Sequence, residues 1–282
     1  MIEGRRSATA ERVAMRRAAH QLHDRPLIFE DPLAFRILSD EAAARVRAGS
    51  EDDANPWGRG LRIFLALRSR FAEEELALAV RQGVPQYVVL GAGLDTFACR
   101  NPHPNLRVFE VDHPDTQAWK REHLRSAGIE IPESMRFAPV DFERDTLAHG
   151  LAAAGFLSDQ PAFFSWLGVV PYLTRDAAFA TLRFIAGLPR PSGVVFDYAI
   201  PRELMPEVER VAFDALAERV ARAGEPFRLF FAPDQLTADL RALGFSEIED
   251  LDSAAIRARW FGAEAGEIRL RGRSGRILCA RL

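Results

Sequence analysis

The sequence predicts a doubly wound α/β fold, a Rossmann-like and mostly parallel sheet with helices on both faces and a cover of helices built from the N-terminal residues. Two observations carry this. From Tyr87 onward, short continuous apolar runs alternate with helix-compatible stretches, as expected of strands buried on both faces and joined by crossover helices. The first run ends in Leu90-Gly91-Ala92-Gly93, where glycines let the chain turn sharply out of the strand. A length of 282 residues suits one such domain with added helices, because 48% apolar residues supply a large core.

The elements follow in order. Ser7 to about His23, rich in Ala and Arg, reads as a helix with Ser7 or Thr9 as N-cap. Asp31-Pro32 restarts a helix, since proline suits the first helical position. Trp57–Val80 reads as a long amphipathic helix, with Ile63, Phe64, Leu67, Phe71 and Leu78 at helical spacing and Gly83-Val84-Pro85 as its stop. Strands are expected at 87–90, 106–111, 135–140, 162–169 and 194–200, with helices at 115–126, 144–154 and 174–186 between them. Beyond these, 201–224 reads as a helix, 225–231 as a loop or lid, and 233–243 as a helix closed by Gly244. Two late strands fall at 245–251 and 276–282. The whole is read as one domain: a helical cover (1–82), a cofactor-binding core (83–200), helices with the lid (201–245) and C-terminal strands (246–282).

Charge and composition exclude several functions. Lys plus Arg (37) nearly balance Asp plus Glu (40), so no basic excess points to nucleic acid or to an anionic membrane. Cys99 and Cys279 make no disulfide framework and fit a reducing, cytoplasmic setting. No apolar run is long enough to span a bilayer, and the first thirty residues lack a signal-peptide core. No His or Cys falls at metal-ligand spacing, and neither a G-x-S-x-G elbow nor a G-K-[ST] phosphate loop occurs.

The glycine loop carries the chemistry. Nineteen residues past Gly93, the second strand ends in Phe109-Glu110-Val111-Asp112, and an acid at that tip can accept hydrogen bonds from both ribose hydroxyls of a nucleoside. Glu110 and Asp112 share a face of the strand, and Asp112 lies nearer the carboxyl end, where ligands bind. A dinucleotide fingerprint needs a third glycine where Thr96 stands, and Asp95 would repel a pyrophosphate. The same carboxylate is acceptable beside the sulfonium and ammonium of S-adenosylmethionine. A nicotinamide-dependent oxidoreductase and a non-catalytic nucleoside-binding protein remain the competing readings.

Several motifs in order resemble the bacterial branch of the leucine carboxyl methyltransferase family of class I S-adenosylmethionine-dependent methyltransferases. They are Val88-Val89-Leu90-Gly91-Ala92-Gly93-Leu94-Asp95-Thr96, Phe109-Glu110-Val111-Asp112-His113-Pro114 with Trp119-Lys120, Val140-Asp141-Phe142, and Trp166-Leu167-Gly168-Val169-Val170-Pro171-Tyr172-Leu173. Thr9-Ala10, Val13-Ala14, Arg17-Ala18, Asp31-Pro32 and Gly244-Phe245 also fit, so the likeness covers nearly the whole chain. The resemblance implies a seven-stranded sheet whose last strand is antiparallel. It implies that Gly91 and Gly93 pass close to the methionine moiety, that Asp112 binds the ribose, that Asp141 and Phe142 meet the adenine, and that Arg68 pairs with the cofactor carboxylate. The expected reaction is O-methylation of a carboxylate or hydroxyl on a small molecule. The sequence departs from the pattern at Phe97, where many members carry Arg, and at Leu167, where eukaryotic members carry Glu, so the eukaryotic substrate does not transfer. Arg12 and Arg17 carry no assigned role. His113 and Tyr172 are the nearest residues to serve as a base. Trp166 and Tyr172 flank the exit of the fourth strand, where an acceptor could sit or where they could simply be core.

Overall fold

A computed structural model describes residues 8–49, 56–141, 145–222, 224, 226–261 and 275–282. Its centre is a seven-stranded sheet in the order β3-β2-β1-β4-β5-β7-β6. The strands are β1 (Gln86–Leu90), β2 (Arg107–Asp112), β3 (Met135–Pro139), β4 (Ala162–Trp166), β5 (Gly193–Ala199), β6 (Glu247–Leu251) and β7 (Gly275–Arg281). The first five run parallel, and β7 is antiparallel to both β5 and β6. The chain winds outward from β1 to β3 and then returns to β4 on the other side of β1. That reversal opens a crevice at the carboxyl ends of β1 and β4, where open α/β sheets bind ligands.

Alternate residues of the central strands feed opposite cores. Val88 and Leu90 of β1 join Phe109, Phe164 and Phe196 on one face, while Tyr87 and Val89 join Val108, Phe163 and Val195 on the other. This double burial is why the strands read as unbroken apolar runs.

Helix α1 (Ala8–His23), α2 (Asp40–Ala48) and α3 (Pro56–Arg81) precede the sheet. Ile63, Leu67, Phe71 and Leu76 of α3 pack on the Tyr87 face. Ala14 and Ala18 of α1 and Val46 of α2 pack with Leu94 and Trp119, so the first two helices lie against the glycine loop and the helix that follows β2. At its far end α1 is pinned by a buried network: His20 Nδ1 lies 2.9 Å from Asp24, and Arg62 of α3 donates twice to the same carboxylate, at 2.7 and 2.8 Å. Burial alone would raise Asp24, but the Arg62 and His20 bonds and charges hold it well below the usual carboxylate range.

The remaining helices are α4 (Phe97–Arg100), α5 (Pro114–Ser126), α6 (Leu147–Ala153), α7 (Arg175–Ala186), α8 (Glu207–Arg222), α9 (Pro233–Ala242) and α10 (Ser253–Phe261). Several differ from the sequence reading. Thr9 lies inside α1 and does not cap it, and Ser7 is outside the described residues. Asp31-Pro32 opens a series of turns, not a helix, because the Asp31 carboxylate takes the Leu33 N–H at 3.0 Å and closes a local turn. The helix starts later, at α2, where the Ser39 hydroxyl caps Ala42 N. β4 ends at Trp166, three residues early, and Gly168 has a φ of +72°. α6 begins at Leu147, capped by Thr146. α8 waits until after Pro206, which holds Met205 extended. α10 is an addition to the expected elements.

Candidate functional site

The glycine loop is built by main-chain bonds between strands. Val111 O accepts from Gly91 N at 2.8 Å and Ala92 N at 3.1 Å, which holds the turn against the tip of β2. Gly91 and Gly93 have φ of +66° and +47°, conformations that side-chain-bearing residues rarely adopt. A Cβ on Gly91 would stand 2.3 Å from Val169 Cγ2, so the loop runs directly under the exit of β4. On Gly93 the corresponding atom would meet Ala10 of α1 at 3.1 Å.

Asp112 ends β2 and is tied to that loop. Its Oδ2 accepts from Gly93 N and its Oδ1 from His113 N, each at 2.7 Å. Burial raises its pKa, opposed by those two main-chain donors and by the Lys120 charge. The Thr116 side chain donates to the same carboxylate, which as a two-oxygen acceptor has room for a further donor. Glu110, two residues earlier on the same face, is fully buried, and its Oε2 takes Lys120 Nζ at 2.5 Å. Burial pushes it up to about 7 even against the Lys120 charge. Of the two acids, Asp112 alone is partly open, in keeping with its place nearer the carboxyl end of the strand.

Arg68 lies on α3, 6% exposed, with Nη1 donating to Asp197 Oδ2 at 2.9 Å. The neighbouring arginines are engaged otherwise: Arg62 with Asp24, and Arg70 with Glu74 at 2.6 Å. A Cβ on Gly168 would lie 2.8 Å from Arg68 Nη2, so the guanidinium sits against the turn that adjoins Val169 and, through it, Gly91. Asp141 follows β3, whose exit is fastened by Val140 N to Asp112 O at 3.0 Å. It does not cap a described helix, since Thr146 caps α6. Phe142 lies outside the described residues. Gly91, Gly93 and Asp112 are thus joined directly, Arg68 and Asp141 approach through their neighbours, and Phe142 is not placed.

Other residues take different parts. His113 is the N-cap of α5, its Nδ1 accepting from Asp115 N at 3.2 Å, which occupies the nitrogen that a base would need. Trp166 is core, with its ring 6.2 Å from Phe196. Tyr172 stands 5.3 Å from the ring of Phe227. Segment 226–231 is docked through Pro171 O, which accepts from Arg228 N and Leu229 N, and through Ala199 O, which accepts from Phe231 N.

Two groups outside the expected site residues take part in the site, Arg17 and Asp197. Arg17 of α1 reaches the loop, Nη2 donating to Leu94 O at 2.5 Å and Nη1 to Asp95 Oδ2 at 3.2 Å, and its Nε lies 3.0 Å from Asp31. Asp95 is therefore held ionised: burial raises it, but the Arg17, Lys120 and Arg100 charges bring it below its ordinary value. Nothing local in the sequence marks Arg17. Asp197 did leave a sign, a carboxylate inside the apolar run Val194–Ile200, which must find a partner when buried.

Among the described residues no helix is long and apolar enough to cross a membrane, and no group of His, Cys, Asp and Glu is arranged to hold a metal ion. Comparison with known proteins identifies the family. The chain is 30% identical over 285 aligned residues to the Bacillus subtilis protein YktD, whose name carries a provisional S-adenosyl-L-methionine-dependent methyltransferase assignment, with 93% of each chain covered. A Mycobacterium tuberculosis protein with the same kind of name is 31% identical over 256 residues, covering 88% of this chain and 76% of that one. In fold, a DUF574 family protein from Streptomyces avermitilis superposes with a TM-score of 0.56 at 17% identity, covering 96% of each chain. A provisionally named methyltransferase from Thermobifida fusca gives 0.55 at 17% identity, covering 79% of this chain and 82% of its own. The sequence profile for leucine carboxyl methyltransferase matches residues 10–186, which takes in α1, the glycine loop, Asp112 and the exit of β4. The chain is an enzyme of the leucine carboxyl methyltransferase family.

Proposed function

We propose that this enzyme uses S-adenosylmethionine to methylate an oxygen, carboxylate or hydroxyl, of a small-molecule acceptor in the cytoplasm. The observation that supports the reading is the bond from Gly93 N to Asp112 at the carboxyl end of β1, with the Arg68 guanidinium against Gly168, one residue from the Val169 that overlies Gly91. The donor set fits the cofactor: Asp112, beside its Gly93, His113 and Thr116 donors, has acceptor room for a ribose hydroxyl, and Arg68 keeps Nε and Nη2 for a carboxylate. When bound, the cofactor supplies a sulfonium-borne methyl group open to in-line attack. Asp112 and the glycine loop would hold the nucleoside end, Asp141 would meet the base, and Arg68 would fix the amino-acid end. Alignment of this kind is worth on the order of 7–11 kcal/mol of barrier. A carboxylate acceptor arrives already ionised and needs no base, which agrees with a His113 committed to capping. Tyr172 and Phe227, beside the exit of β4, form an apolar wall for the acceptor.

Calorimetry with S-adenosylmethionine, its demethylated product and NAD tests the cofactor. Binding of the first two without the third is expected, and binding of NAD alone would return the oxidoreductase reading. Transfer of labelled methyl into pools of small carboxylic acids and phenols then tests the acceptor, with no labelled ester or ether as the adverse result.

A further inference from the structure

Asp197 joins two parts of the site, the Arg68 guanidinium and the Gly168 turn, that share no other hydrogen bond among the described residues. It lies on β5, 6% exposed, and its two oxygens serve different donors. Oδ2 accepts from Arg68 Nη1 at 2.9 Å, and Oδ1 accepts from Gly168 N at 2.6 Å. The guanidinium is confined on its other side by Gly168, where a Cβ would stand 2.8 Å from Nη2, 2.9 Å from Nη1 and 3.2 Å from Cζ. One oxygen thus anchors the turn that the arginine rests against, while the other anchors the arginine.

The pairing differs from a purely structural ion pair on the same helix. Arg62 directs Nε and Nη2 together at Asp24, presenting a full edge to its partner. Arg68 gives Asp197 one nitrogen, and among the described residues Nε and Nη2 donate no hydrogen bond. A guanidinium held at one corner and backed by a glycine keeps an edge for a second carboxylate. We infer that Asp197 is a positioning residue: it orients Arg68, through Nη1 and through the Gly168 turn, so that the remaining edge faces the carboxylate of the cofactor. This rests on the proposed role of Arg68, and it adds that the grip on the amino-acid end is set from β5.

The test measures binding, without turnover, using two probes: S-adenosylhomocysteine, which has the amino-acid end, and 5′-methylthioadenosine, which lacks it. Asp197→Asn removes the charge and has one oxygen for two donors: with that oxygen on Gly168 N, an amide NH2 faces Arg68 Nη1 in place of a carboxylate oxygen. S-adenosylhomocysteine is expected to bind on the order of tenfold more weakly or worse, the loss of a charge-assisted bond, with 5′-methylthioadenosine unchanged. Equal loss for both probes, or none for either, overturns the inference. Gly168→Ala leaves Asp197 intact and pushes on the guanidinium directly. The same selective loss is expected there, and wild-type affinity for S-adenosylhomocysteine is adverse. Arg68→Lys, run beside them, separates the two levels. If Arg68→Lys loses S-adenosylhomocysteine while the other variants do not, Asp197 is a bystander and Arg68 keeps its role. If Arg68→Lys binds normally, the assignment of Arg68 itself fails.

Discussion

Arg17 and Leu94, 77 residues apart in sequence, meet at 2.5 Å, where the guanidinium of α1 donates to the carbonyl beside Gly93. Through that contact, and through Asp95 and Asp31, the first helix becomes part of the nucleoside-binding turn.

Arg17→Ala takes a cation from Asp31, which is buried, and from Asp95, which is half-buried. Asp31 keeps Arg100 Nε at 3.4 Å and the Thr96 hydroxyl at 2.7 Å, so the loss expected in urea unfolding is that of charge-assisted bonds, about 1.5–3 kcal/mol. Hydrogen exchange in residues 8–23 should quicken beyond the global change. Lysine is not expected to rescue, because a single ammonium cannot serve three acceptors in the guanidinium geometry. Normal exchange in α1 would separate the helix from the loop.

The two loop glycines should differ in tolerance. Gly91→Ala drives a Cβ to 2.3 Å from Val169 at a φ of +66°, whereas Gly93→Ala meets only the methyl of Ala10 at 3.1 Å. Both force a left-handed backbone on a side-chain-bearing residue, but Gly91→Ala must also displace the exit of β4. Calorimetry should show a greater loss of S-adenosylhomocysteine affinity for Gly91→Ala than for Gly93→Ala, and the reverse order would refute the placement of the loop under β4.

Glu110 should make the fold sensitive to pH. Burial raises its pKa from 4.5 to about 7, so the folded protein holds this proton more tightly than the unfolded chain. The associated stability is full below pH 4.5 and lost as pH rises through 7, on the order of 3 kcal/mol. Glu110→Gln removes this dependence and should be relatively more stable at pH 8 than at pH 5 when compared with wild type. Denaturant midpoints for both proteins across that range check the sign; parallel curves would show that Lys120 keeps Glu110 charged throughout.

His113→Ala should lose its cap and little else. Stability should fall by about 0.5–2 kcal/mol, and turnover of a matched acceptor should stay within about twofold of wild type, since Nδ1 already takes the Asp115 N–H. A drop in kcat of the 100-fold order expected for a lost base, with KM unchanged, would reinstate the histidine in the chemistry.

The sheet was legible because its strands are buried on both sides. Val88, Val89 and Leu90 all read as apolar although they serve different cores. The loop was legible because its glycines obey a local backbone demand. What escaped depends on distance. Arg17 reaches Leu94 across 77 positions and Arg68 reaches Asp197 across 129, and no periodicity records such pairings. α2 escaped for another reason: only Ala42, Ala43 and Val46 of its nine residues are buried, too little apolar surface to mark a helix face. At Asp31-Pro32 a helix-start signal was present, but the aspartate side chain was already engaged with Leu33, Arg17 and Thr96.

The position of β7 between β5 and β6 has a consequence for biosynthesis. β6 pairs with β7 and not with β5, so when residues 247–251 leave the ribosome they have no strand to join. β5 likewise keeps an open margin until residues 275–281 are made. The nascent chain therefore exposes an unpaired strand margin during that interval, and chaperone capture of stalled chains should be greatest before residue 275 is added.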